Sequence, residues 1–63
     1  MEPEEEFLDN ATTLLRYAKE ELKQFLAWTD KRAPYGQQAT ALIQKLEGLS
    51  LEMKELRKTY DKR

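Results

Sequence analysis

Cysteine and histidine are both absent from this 63-residue chain, and the two absences remove most of the chemistry a small protein can carry. Without cysteine there is no disulfide to staple the fold and no thiolate for metal or nucleophilic work. Without histidine the usual proton shuttle and the commonest metal ligand are gone. Two glycines in the whole chain are too few for a phosphate-cradling loop. Serine occurs once, as Ser50, with nothing to activate it, and reads as a small seam residue rather than a nucleophile. Acidic pairs at helical spacing, Glu2/Glu6 and Glu52/Glu55, fall where solvent should be, with no pocket to desolvate them. The sequence therefore points away from an enzyme, with no catalytic, cofactor-binding or metal-ligating residue to nominate.

Long apolar runs are also missing. The longest is Phe25-Leu26-Ala27-Trp28, far short of the roughly 20 residues that span a bilayer. Charge of one sign is not in excess, the net being −1, whereas a nucleic-acid partner would call for a clustered basic surface. The one basic stretch, Lys45, Lys54, Arg57 and Lys58, is interleaved with Glu47, Glu52 and Glu55, as in a solvated helix face. The start, Met1-Glu2-Pro3-Glu4-Glu5-Glu6, is the reverse of a basic targeting segment, so a cytoplasmic setting is expected, with the nucleus also open. The chain reads as one domain over residues 1–63, either whole or as a fragment of a larger protein.

What is present is helical periodicity. In the first half Leu8, Ala11, Leu15, Ala18, Leu22 and Phe25 alternate by three and four, the spacing of a heptad seam. In the second half Ala39, Leu42, Leu46, Leu49, Met53, Leu56 and Tyr60 do the same, and Tyr35 falls on the same line. Between them stands Arg32-Ala33-Pro34-Tyr35-Gly36. Proline suits the first turn of a helix, and the residue before it is pushed out of the helical region. These signals predict an all-α antiparallel two-helix hairpin, with helix 1 over about residues 4–31 and helix 2 over about 34–61. Gly36 leaves open a later start for the second helix. Charge agrees with the hairpin: residues 1–31 carry eight acids and four bases, and residues 32–63 four acids and seven bases.

The expected core is Leu8, Leu15, Leu22, Phe25, Leu42, Leu46, Leu49, Met53 and Leu56. A two-helix hairpin buries only a narrow seam, yet Phe7, Leu14 and Trp28 recur along the flank of helix 1, and Ile43 widens helix 2. Folding must offset about 1.5 kcal/mol per residue, roughly 95 kcal/mol in all, and six of the twenty-five apolar residues are alanines. Pairing of two hairpins into a four-helix bundle would enlarge the core. Phe7, Leu14, Trp28 and Ile43 are accordingly expected at a dimer or partner interface. Ala41 and Gly48 beside Leu51 form a second candidate docking face, where small residues would let another helix approach.

The leading expectation is a non-enzymatic homodimerisation module that presents attached domains in two copies. The alternative is a hetero-interaction module whose helix-1 flank docks an amphipathic helix of another protein. In length and plan the chain resembles small repressor-of-primer-type bundles and the N-terminal dimerisation modules of signalling adaptors. No motif carries that likeness to a family, and the basic face of an RNA-binding bundle is absent.

Overall fold

The computed structural model describes residues 2–62, which form two helices and no strand. Helix α1 runs Pro3–Ala27 and helix α2 runs Pro34–Asp61. Both open on proline in the first turn, where the missing N–H costs no helical hydrogen bond. The acids Glu4, Glu5 and Glu6 fill the first turn of α1, and Lys58 lies in the last turn of α2, each complementing its helix dipole. The helices lie antiparallel, in a body 46 × 17 × 11 Å along its principal axes.

Helix α1 stops four residues before the expected end. Trp28 N–H turns back to the Phe25 carbonyl at 3.2 Å, and Thr29 Oγ1 donates to the same carbonyl at 2.7 Å. Residues 28–33 then make the corner. The Asp30 carboxylate accepts the Arg32 N–H at 2.9 Å, and the Asp30 carbonyl accepts the Ala33 N–H at 3.2 Å. This aspartate-centred turn reverses the chain in six residues, and Gln37 Nε2 ties it to α2 through the Arg32 carbonyl at 3.1 Å.

Gly36 lies inside the first turn of α2 and does not delay its start. Its glycine identity has a packing reason: a Cβ there would sit 2.5 Å from the Asp30 carbonyl oxygen and 2.8 Å from Lys31 backbone atoms. The corner backbone rests on this glycine. Ala39, 4 % exposed, is the one buried apolar residue among those described. The two buried positions of the hairpin, Gly36 and Ala39, thus lie at its corner end, where side chains are smallest.

The seam is turned by one position from the expected one on α2. Gly36, Ala39, Ile43, Leu46, Ser50, Met53, Arg57 and Tyr60 are the buried or half-buried residues of that helix, and they too alternate by three and four. Leu42, Leu49 and Leu56, expected in the core, instead stand 45–48 % exposed, while Ile43, expected on the flank, is half-buried. On α1, Leu8, Ala11, Leu15, Lys19, Leu22 and Leu26 are half-buried, whereas Ala18 and Phe25 are exposed. The shift has a physical cause. Close approach at the corner selects Gly36 and Ala39, and in their row Ile43 and Ser50 follow. The same roll carries Arg57 to Asp9 and Tyr60 to Glu2 at the open end.

Candidate interaction faces

The two broad sides of the hairpin differ in chemistry. On one side, Ala11, Leu14 and Leu15 of α1 and Leu49, Met53 and Leu56 of α2 line an open groove of about 670 Å³, with Glu52 at its edge. Heptad spacing extends it both ways. Phe7 stands seven residues before Leu14, Ala18 and Phe25 follow Ala11 at successive steps of seven, and Leu42 precedes Leu49 by seven. All but the two alanines are large side chains left exposed by the single chain. Toward the corner the Phe25 ring meets Tyr35 edge-on, with centroids 6.0 Å apart, a favoured aromatic geometry. Both rings are nonetheless more than two-fifths exposed.

The opposite side is held by charge. Arg57 reaches Asp9 across the helices at 2.5 Å and Asp61 on its own helix at 3.6 Å. Lys19 lies 3.9 Å from Glu47. The guanidinium of Arg57 is held above its ordinary value, first by its hydrogen bond to Asp9; desolvation opposes this next, and the charges of Asp9, Asp61 and Glu5 add to the rise. A recess of about 350 Å³ beside it is lined by Leu8, Asp9, Thr12, Thr13, Met53 and Lys54 together with Arg57. Tyr60 donates to the Glu2 carboxylate at 2.5 Å at the open end.

The groove gathers Leu14, from the expected partner face, with Leu15, Leu49, Met53 and Leu56 from the expected core. Trp28 is 85 % exposed at the C-cap of α1, beyond the groove. Ala41, Gly48 and Leu51 are exposed, and a Cβ on Gly48 would meet open space. Sequence periodicity missed that Lys19 and Arg57 are seam residues. The available signal was pairing of opposite charges at equal distance from the corner, Asp9 with Arg57 and Lys19 with Glu47.

Among the described residues no group of three or more acidic side chains is placed to hold a metal ion, and neither helix is long and apolar enough to cross a membrane. No protein-family model, curated protein or solved structure matches this chain.

Proposed function

We propose that this chain is a non-enzymatic self-association module in which two hairpins join through their apolar sides into a four-helix bundle, presenting in two copies whatever each chain is attached to. The observation that carries the reading is the concentration of exposed leucines in one groove: Leu14, Leu49 and Leu56 line it together, whereas Tyr17, Trp28 and Leu51 stand outside it and charged pairs hold the other side.

Two magnitudes support it. A compact monomer of 7.5 kDa exposes about 4,200 Å², whereas this chain exposes 5,237 Å². The excess, about 1,000 Å², is of the same order as what pairing would remove, since stable interfaces bury about 800 Å² per partner and a face of 46 × 17 Å encloses about 780 Å². The buried leucines would also supply the core that one hairpin lacks, at about 25 cal/mol for each Å² of apolar surface.

Sedimentation equilibrium over about micromolar to millimolar concentration, the range of ordinary dimer affinities, tests the proposal. A folded species of twice the chain mass is expected. A helical monomer throughout would overturn it and turn attention to a different protein whose amphipathic helix covers Leu14, Leu49 and Leu56.

A further inference from the structure

Two hairpins can meet through their apolar sides about a two-fold axis that runs along the helices or about one that crosses them. With the axis along the helices, α1 of one chain lies against α2 of the other and both corners are at one end. With the axis across them, α1 lies on α1, α2 lies on α2, and the corners are at opposite ends. We infer that the axis runs along the helices, so that corners gather at one end of the bundle and all four chain termini at the other. This rests on the self-association reading above.

The charges of the open end carry the inference. Glu2, Glu4, Glu5, Glu6 and Asp9 stand at the start of α1, and Lys54, Arg57, Lys58 and Lys62 at the end of α2. Residues 34–44, the first part of α2, carry no charge at all. The crossed arrangement would set the basic end of each α2 against that uncharged stretch of the partner subunit. The aligned arrangement sets it against the partner subunit's acidic α1 start, so each acidic cluster is flanked by bases on two sides. Opposite charges so placed attract, and like charges are kept apart.

Register gives a second, independent mark. Asp9 lies level with Arg57 and Lys19 with Glu47, so each step along α1 answers one step back along α2. Glu21 is then level with Lys45, and Leu14 with Glu52. A two-fold axis along the helices preserves height, so these levels transfer to the interface with no freedom to slide. Glu21, the one charged member of the series Phe7, Leu14, Glu21 and Trp28, meets Lys45 of the partner subunit. Leu14 falls between Leu49 and Leu56 of the partner subunit, as a knob between two residues seven apart.

The absence of native cysteine makes the test direct. A spin label on Lys31→Cys, at the exposed corner, reports corner-to-corner distance by double electron–electron resonance. Neighbouring helices pack about 8–10 Å apart, so aligned hairpins should give a label separation below about 30 Å, whereas the crossed arrangement gives one near the 46 Å body length. Sedimentation of the same labelled sample separates the two failures. A dimer with the long distance overturns the aligned axis and leaves pairing intact; a monomer overturns the pairing itself. Charge reversal is the second measurement. E21K alone should weaken the dimer about tenfold through its two symmetric pairs, and E21K/K45E should restore it. Failure of E21K/K45E to restore it, in a sample that is still dimeric, would overturn the proposal.

Discussion

One side of the hairpin is a groove of leucines, and the other is a row of ion pairs and hydroxyls, although both are built from the same two helices and flank the same seam. The charged side is complete within one chain: Arg57 has Asp9 and Asp61, and Lys19 has Glu47. The apolar side has no such closure, because Leu14, Leu49 and Leu56 extend from a seam too narrow to cover them. The difference teaches where the free energy lies. Exposed ion pairs contribute about 0–1 kcal/mol each, whereas burying one leucine contributes about 1.5–3 kcal/mol. The side that looks more highly organised in a single chain is thus the energetically lighter one.

The sharpest break of this contrast is Leu14→Glu. A carboxylate buried at the centre of the apolar side would raise the dissociation constant by more than about a hundredfold, equivalent to about 2.7 kcal/mol. The expected product is a weakly helical monomer by sedimentation and circular dichroism; unchanged mass and melting temperature would remove the groove from the interface. Gly36→Ala comes next. It acts on neither side but on the corner that sets the roll of α2, where the new Cβ meets backbone at 2.5–2.8 Å, and it should lower stability by about 1–3 kcal/mol in thermal unfolding.

Gly48→Ala should do the opposite. Its Cβ would enter open space, so helix propensity alone predicts a gain of about 1 kcal/mol. A loss on substitution would show that another helix packs closely on the face of Ala41, Gly48 and Leu51. The smallest effect belongs to the charged side: a double-mutant cycle on Asp9→Asn and Arg57→Gln should give a coupling smaller than the Gly48→Ala effect, and 1 M salt should weaken it further, the screening length there being about 3 Å. Arg57 is held above its ordinary value, so the stability it adds is present at every pH below that value and is lost only as pH rises through the folded one. Its titration therefore imposes no pH dependence near neutrality. The dimer mass should be unchanged in both single variants; dissociation would mean that the charged side takes part in pairing.

Much of this was legible in residue order alone, because helices are written in local spacing. The two-helix plan, the proline start of α2 and the closeness of acidic and basic ends follow from periods of three and four and from proline's missing N–H. Spacing makes the corner shorter than it is, since the aspartate turn at Asp30 depends on hydrogen bonds that no periodicity announces. Leu42, Leu49 and Leu56 fit a core row by spacing because they share a heptad with Ala39 and Leu46. Two adjacent rows on α2 both satisfy the three-four alternation, and spacing cannot choose between them.

Tertiary packing makes that choice. Gly36 must take the corner backbone where a Cβ would collide, Ala39 follows it into the close approach, and the rigid helix then carries Ile43, Ser50 and Arg57 into the seam behind them. Helix identity and amphipathic character are properties of neighbours a few residues apart and can be read along the chain. The roll of one helix against another is settled by contacts between residues far apart in sequence, and it is this roll that leaves one side of the hairpin apolar and the other charged.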